Sequence, residues 1–595
     1  MGWEFYKTSI YALKRKIADM NLLVAIGTSA AYFYSVIVLF FPDLIPKAKN
    51  TYFESAAAII TFILIGRYLE TKARNKATSF MKSLLKLKPE KATILVDGKE
   101  IEIPAENIVK GDIVVLKAGD KVAVDGIIIE GGCELDQSAI TGESLPVFKS
   151  ENENVISGSI VKNGYCKIKA ITSGADNTIN HIIKLILEAQ SKKPKIAKLA
   201  DKIVSYFVPS ILIIAIFTFD IWYFFTENIT VSLIPAVSVL IIACPCALGL
   251  ATPIAVVSVV GRAAKEGVLI KNPEVLEIID KVKSVIFDKT GTLTKASLKV
   301  VNFKFENPEY KDLAYNLSLK TNHPISKAIV EGLKSENDLK IENIEYIVGK
   351  GIKAYWQNKP IYLGNLSLLE ENNINLSENY KKILNKEIEK GRTVIFLATN
   401  DKVLGYISLE DEIREEAKEV IKWLKENGYK VYMLTGDNEK TAKNVAKIVG
   451  IENVFSNVLP EYKLKIVKSL QEKGEKVIFV GDGINDAPSL SEADIGIAIG
   501  GKGSQLAKES GDVILLSDSL KAVIKFIKLS KIGKTTIKQN LFWAYVYNII
   551  GIPIAAGILY PINGLLLRPI FASIAMSLSS ITVVLNALRI KVIKL

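Results

Sequence analysis

The residues with the most chemical content lie in one run, Val285-Ile286-Phe287-Asp288-Lys289-Thr290-Gly291-Thr292-Leu293-Thr294. Its apolar part, residues 284–287, reads as a buried strand that ends on a carboxylate, a lysine and a Thr-Gly-Thr turn. In an open α/β sheet, ligands collect at the carboxyl ends of the strands. Asp288 is thus placed to attack a phosphoryl group and, with the Thr290 hydroxyl beside it, to share a magnesium ion. Two further strands end in the same way. Residues 430–434 run into Thr435-Gly436-Asp437, and residues 477–480 into Gly481-Asp482-Gly483-Ile484-Asn485-Asp486. At the shared edge Asp288 is the expected nucleophile, converted to an aspartyl-phosphate. Asp482 is expected to help hold Mg²⁺, a hard cation that takes one or two carboxylates plus phosphate. Lys463, in Pro460-Glu461-Tyr462-Lys463, neutralises charge on the group in transfer. Such positioning and charge compensation are most of what phosphoryl transfer asks of a protein.

A second constellation has softer chemistry. Cys244-Pro245-Cys246 interrupts an apolar stretch. Proline removes an intrahelical hydrogen bond and opens the helix. Unwound backbone within a membrane is tolerated only where protein or a cavity covers it. Two thiols beside such a break form a soft ligand pair, which selects Cu(I) and also suits zinc.

The elements that must position these groups divide the 595 residues between membrane and water. Hydrophobic residues make up 49% of the chain and the mean hydropathy is +0.25. A membrane helix needs about 20 apolar residues. Six stretches qualify, at residues 21–41, 52–69, 203–225, 231–260, 541–560 and 565–588. Even numbers of spans surround the polar stretches 71–202 and 261–538, so both lie on one side. Their lysines, against short and weakly charged connecting loops, put that side in the cytosol. The net charge of +13 does not point to nucleic acid: the lysines are scattered, with no basic arm and no aromatic-interleaved patch. Those beside the spans can meet anionic lipid. Trp3, Tyr6, Ile10, Leu13 and Ile17 fall at helical spacing with basic residues between them, the pattern of an interfacial amphipathic helix over residues 2–18. Cys133 and Cys166 read as free core thiols of a cytosolic domain.

On these motifs the chain resembles the heavy-metal-transporting P-type ATPases, of the copper(I) type, along nearly its whole length. The resemblance implies a multi-domain α-helical membrane protein with an α/β cytosolic headpiece. Its expected parts are an amphipathic helix (1–18), two membrane helices (19–70), a β-rich actuator domain (71–200) and two more helices (201–261). A haloacid-dehalogenase-like Rossmann phosphorylation domain follows in two parts (262–303 and 403–530), split by an α/β nucleotide-binding domain (304–402), and residues 531–595 form the last two helices. ATP and Mg²⁺ are the implied cofactors and Cu⁺ the cargo, with Ag⁺ as its analogue. Membrane lipid and a cytosolic copper chaperone are the implied partners, and the plasma membrane is the implied location.

The resemblance also assigns residues. Glu143, in Thr141-Gly142-Glu143, would direct water onto the aspartyl-phosphate, and Asp437 and Asp486 would complete the catalytic set. His323-Pro324, Gly349-Lys350-Gly351 and Gly364-Asn365 would surround the adenine, with Asn322 in place of the usual glutamate implying weaker nucleotide binding. Met20, Glu70 and Asp201 match the cytosolic entrance for metal, and Glu54 the exit carboxylate. Tyr547-Asn548 in the fifth span, with Met576 and Ser580 on one face of the sixth, match the copper subgroup, whereas zinc and cadmium pumps carry a lysine and an aspartate there. Asp411 and Arg414 match a hinge-side pair, and Gly503-Ser504-Gln505 departs from the usual Gly-Thr-Asp. Family members usually have two further spans and Cys-x-x-Cys domains before the glycine kink at which this sequence opens. Two rival readings are a zinc- or cadmium-class pump and a non-catalytic metal sensor or docking protein. The full set of Asp288, Lys463, Thr435, Asp482 and Asp486 speaks against the sensor.

Overall fold

Strands buried on both faces need near-continuous apolar runs, and residues 281–524 supply them. In this computed structural model, which describes every residue except 1, 16–19, 43–50, 78–85, 142–144, 193, 322, 336, 348, 438, 483–485 and 501–508, the chain divides into two units. One unit is Lys281–Ile524. Its parallel sheet runs in the order Asn453–Phe455, Lys430–Leu434, Val282–Asp288, Lys476–Gly481, Ile495–Ile499 and Val513–Leu515. Val285, Ile286, Phe287 and residues Val477 to Val480 are fully buried in it. The register aligns Leu434 with Asp288 and Val480 with Phe287, so the three expected strand ends finish level with one another.

A second, antiparallel sheet in the same unit has the order Thr294–Phe305, Val403–Ile413, Thr393–Thr399, Lys359–Gly364, Gly351–Trp356 and Glu342–Ile347. Helices Pro308–Leu319 and Pro324–Leu333 share one core with it, and Leu366–Glu371 and Glu378–Glu389 a second. Its limits differ from the expected 304–402. Strands Thr294–Phe305 and Val403–Ile413 pair with each other from Thr294↔Ile413 to Phe305↔Gly405, so the sheet takes in residues 294–413. Composition does not mark this limit, since Lys295, Lys299, Asn302 and Lys304 already lie in the leading strand; the pairing of the two flanking strands sets it.

The other unit comprises Met1–Asp280 and Lys525–Leu595. It contains a β-rich domain with strand order Lys99–Pro104, Lys91–Val96, Ile113–Lys117, Ile160–Ala170, Gly126–Asp136 and Val147–Lys149; Asn154–Val155 pairs with the fifth of these. Cys133 and Cys166 are buried free thiols in its core, with their sulfurs 2.7 Å apart.

The remaining long helices are Met20–Phe40, Phe53–Ala77, Lys195–Thr226, Ile229–Ile242, Cys246–Lys265, Lys521–Ala555 and Pro569–Leu588. Among the described residues four stretches are long and apolar enough to cross a membrane: Asn21–Phe40, Lys202–Thr226, Ile229–Lys265 and Pro569–Lys591. The two other expected spans are helical but more polar. Phe53–Ala77 carries Glu54 and Arg67, and Lys521–Ala555 has an amphipathic basic first half and stops short of residue 560. A turn through Gly557, at φ +96°, follows it.

Helix Trp3–Lys14 turns most of its apolar stripe outward. Trp3, Ile10 and Leu13 are exposed, whereas Phe5 and Ser9 are buried. Phe5 inserts among Leu23, Val24 and Ile59, with the Arg67 guanidinium 4.4 Å above its ring. The apolar stripe is therefore turned outward, as an interfacial helix requires, and an aromatic beside the stripe anchors it.

Candidate functional site

Asp288 ends its strand almost fully buried, and Lys463, from helix Pro460–Glu472, reaches it. The lysine Nζ donates to Asp288 Oδ1 at 2.6 Å and to Asp486 Oδ1 at 2.7 Å. Asp486 Oδ2 accepts from the Asp482 backbone N–H at 3.3 Å. Asp482 lies against the glycine of the loop, where a Cβ on Gly291 would come within 1.8 Å of Asp482 Oδ2. Gly291 also has φ +75°, so no other residue fits this turn. Burial, with repulsion from Asp486 and Asp482, pushes the Asp288 carboxyl up to about 7 against the pull of Lys463. Burial and Asp486 likewise raise Asp482 to about 6, opposed by Arg414 and Lys463. Burial lowers the Lys463 ammonium's pKa, but its two carboxylate partners outweigh that and leave it raised.

Loop contacts hold this arrangement. Lys289 Nζ bonds Asp437 Oδ2 at 2.6 Å, joining two strand ends. Thr435 is buried; its N–H donates to the Phe455 carbonyl and its hydroxyl accepts from the Asp437 N–H. Gly436 lies between them and Thr290 is exposed in the loop after Asp288. Arg414, buried, donates from Nε to the Thr292 carbonyl at 2.9 Å, from Nη2 to Gly291 at 2.8 Å and from Nη1 to Asp518 at 2.5 Å. Thr294 donates to Asp411 Oδ2 at 2.6 Å. Sequence reasoning places Asp411 and Arg414 at a hinge but does not reveal that Arg414 clamps the loop that follows Asp288. A lone arginine far along the chain gives no sign of which carbonyls it will meet.

The five residues expected at the adenine, His323, Gly349, Gly351, Gly364 and Asn365, all line one cavity of about 430 Å³. His323 caps helix Pro324–Leu333 by accepting at Nδ1 from the Ile325 N–H, which leaves its other nitrogen carrying the proton. Gly351 faces Gly364 in register, and a Cβ on Gly351 would lie 2.3 Å from the Leu363 carbonyl. Asn365 ties the two glycine turns together through Nδ2 to the Gly349 carbonyl at 3.0 Å. Ile325, Ile329, Ile347, Ile352, Leu363 and Ile395 form the apolar part of the wall.

In the other unit the helix breaks at Ala243–Pro245, between Ile229–Ile242 and Cys246–Lys265. A cavity of about 10 Å³ at the break is lined by Cys244, Tyr547, Asn548, Met576 and Ser579, with Ile242, Ala247, Ala544 and Ala575. That volume is about one water. Ser579 lines it, and the expected Ser580 does not, although Ser580 is also buried. Spacing four residues from Met576 shares its face, but so does a spacing of three, and packing of helix Pro569–Leu588 decides between them. Glu54 is exposed in the first turn of its helix, away from the cavity lining. Glu143, Asn322 and residues 503–505 lie outside the described residues, as do the side chains of Met20, Glu70, Asp201 and Cys246.

A family profile described as the P-type ATPase actuator domain matches residues 86–187, and one described as a haloacid dehalogenase-like hydrolase matches residues 282–494. A copper-exporting P-type ATPase of Staphylococcus epidermidis is 42% identical over 100% of this chain and 74% of its own length. The chain belongs to the P-type ATPases. A copper-exporting P-type ATPase of Legionella pneumophila is 40% identical over 99% of the chain and 82% of its own length. Among solved structures, a zinc-transporting PIB-type ATPase in an E2.Pi state matches at TM-score 0.62 and 28% identity, covering 99% of this chain and 93% of that one. As in that family, the β-rich domain is the actuator, and the large domains of this multi-pass membrane protein are cytosolic.

The residues around Asp288 suit the magnesium ion that P-type ATPases use. Asp288, Asp482 and Asp486 offer three carboxylates against the Lys463 ammonium, with Arg414 acting on Asp482 beside them, and these donors are hard oxygens. No group of three or more histidine, cysteine or acidic side chains forms a ready cage among the described residues. That fits an ion held by one or two carboxylates plus phosphate. Asp288, Thr290 and Asp482 would hold it, and when bound it supplies charge neutralisation for the transferred phosphoryl group.

Proposed function

We propose that this P-type ATPase exports Cu(I), with Ag(I) as a substitute, from the cytosol through an aspartyl-phosphate on Asp288. The observation that carries the metal assignment is the cavity lined by Cys244, Tyr547, Asn548 and Met576, with no carboxylate or lysine among the described residues of its wall. Once reduced, Cys244 offers a soft thiolate beside the Met576 thioether, and a thioether suits Cu(I) better than a zinc-class ion. Curated relatives named as copper exporters support the same reading.

In the working cycle, ATP occupies the 430 Å³ cavity with its base against the glycine turns at Gly349, Gly351 and Gly364. Lys463 holds Asp288 Oδ1, leaving the other oxygen to attack the terminal phosphoryl group, and the lysine charge meets the charge that develops there. Asp437 and Thr435 hold the loop that faces the phosphoryl group. Glu143 then directs water to the aspartyl-phosphate. Met20, Glu70 and Asp201 pass the ion to Cys244 and Cys246, with Ser579 taking the place expected of Ser580, and Glu54 receives it on exit. A cytosolic copper chaperone is the donor that best spares a soft ion from water.

The deciding measurement is acid-stable phosphoenzyme from labelled ATP, titrated with Cu(I) under reducing conditions and with Zn(II) in parallel, with Asp288→Asn as control. Cu(I)-dependent labelling that vanishes in the variant is expected. Labelling that follows Zn(II) would replace copper by a zinc-class cargo, and none with either metal in folded protein would leave the sensor reading.

A further inference from the structure

The most deeply placed carboxamide of the described membrane helices lies outside the metal cavity. Asn540, in helix Lys521–Ala555, is fully buried and donates from Nδ2 to the Ala251 carbonyl of helix Cys246–Lys265 at 2.9 Å. Its Oδ1 accepts from Asn586 Nδ2 of helix Pro569–Leu588, also at 2.9 Å. Asn586 Nδ2 additionally reaches Gln539 Oε1 at 3.1 Å, and Arg589 touches the same oxygen at 3.3 Å. One side chain therefore bonds two other helices at once. These three helices are the ones that carry Cys246, Tyr547 with Asn548, and Met576.

The surroundings give the network its leverage. Asn540 is seven residues before Tyr547, about 10 Å of helix. Between them Ala544 packs in an apolar cluster, rich in alanine, with Ala247, Leu248, Ala251, Val583 and Ala587. Ala544 and Ala247 also line the metal cavity. Alanines pack helices close and have no rotamers with which to absorb a shift. A change of helix position at Asn540 therefore passes to the cavity wall. Ala200, next to Asp201, belongs to the same cluster. A backbone carbonyl that already lies in a helix needs no second donor, so the bond from Asn540 is not required to satisfy Ala251.

We infer that Asn540, with Asn586, is a positioning residue for metal binding: it sets the spacing of the three helices whose side chains converge on the ion. It does not touch the cavity, so it acts through Ala544 and Ala247 and not as a ligand. The inference rests on the copper-pump reading. Interhelical bonds of this kind are each worth about tenfold or less in an equilibrium.

The test uses full-length protein in lipid vesicles. Asn540→Leu keeps the volume and removes both bonds; Asn586→Leu removes the bond to the sixth-span helix and leaves the one to Ala251. Phosphorylation from ATP is titrated with Cu(I), and metal-independent phosphorylation from inorganic phosphate is measured beside it. The expected result is a rise of about tenfold in half-maximal Cu(I) for Asn540→Leu and about threefold for Asn586→Leu. Phosphorylation from inorganic phosphate and the thermal midpoint stay as in the wild type. Unchanged Cu(I) dependence in both variants overturns the inference. So does loss of both phosphorylation reactions with a lowered midpoint in both variants, because the network would then only hold the fold. Wild-type labelling that ignores Cu(I) overturns the copper reading itself, and is recognised before either variant is made.

Discussion

Lys463 lies between two buried carboxylates, and that geometry fixes what its loss does. Lys463→Ala would leave Asp288 and Asp486 facing each other without a cation, and removing one partner of a buried ion pair is strongly unfavourable. Phosphorylation from ATP is expected to fall by about a hundredfold or more, since the charge stabilising the transfer goes with it; activity within a few-fold of wild type would remove the lysine from the reaction. A pH dependence follows from the same pocket. In an unfolded chain aspartates ionise near pH 4, but here, without metal, Asp288 and Asp482 hold protons to about 7 and about 6. The folded state binds more protons between those limits. Their stabilising contribution is therefore full below about pH 4 and lost as pH rises through about 6 and 7. The thermal midpoint in EDTA should fall between pH 5 and pH 8, and Mg²⁺ should restore it at pH 8 while doing little at pH 5. A midpoint in EDTA that stays level over that range contradicts this account.

At the scale of elements, much was legible because local pattern and tertiary role agree. The apolar runs before Asp288, Thr435 and Asp482 are strands because only a doubly covered parallel sheet buries such runs completely, and residue types at their ends then name the chemistry. Gly351 and Gly364 were legible as turns but not as partners; their pairing comes from sheet register. Gly351→Ala should raise the ATP concentration for half-maximal phosphorylation about tenfold with the maximal rate little changed, because the added methyl meets the Leu363 carbonyl in a wall of the nucleotide cavity. An unaltered ATP dependence in a stable variant would separate that cavity from the nucleotide. What the sequence could not supply were contacts between distant segments: the Arg414 clamp, the Asn540 bonds and the choice of Ser579 over Ser580. Each depends on how a helix or loop is rotated by packing, which spacing alone leaves open.

At the scale of the whole molecule, membrane contact is expected at more than the spanning helices. Helix Trp3–Lys14 turns Trp3, Ile10 and Leu13 outward while Phe5 fastens it beside Arg67. Trp3 should therefore be quenched by lipids brominated near the head group. Replacing Trp3 and Ile10 together by serine should reduce turnover in anionic vesicles but not in detergent; equal turnover in both media would make the helix a bystander. The net charge of +13 belongs to this scale too, since it favours anionic lipid and loses influence as salt is added.

The cavity at the Cys244 helix break, proposed to take the metal, holds about 10 Å³. An ion that fits there has no room for a hydration shell or a carrier. On the proposed route it would arrive bare, passed from one sulfur or carboxylate holder to the next, so transport would be a relay of bond exchanges and not a sieve that sorts ions by width. The speed limit of such a relay is set by how readily the previous holder lets go. A stronger chelator in the cytosol would then slow the pump even at saturating ATP, and a stronger one outside would quicken only the final release.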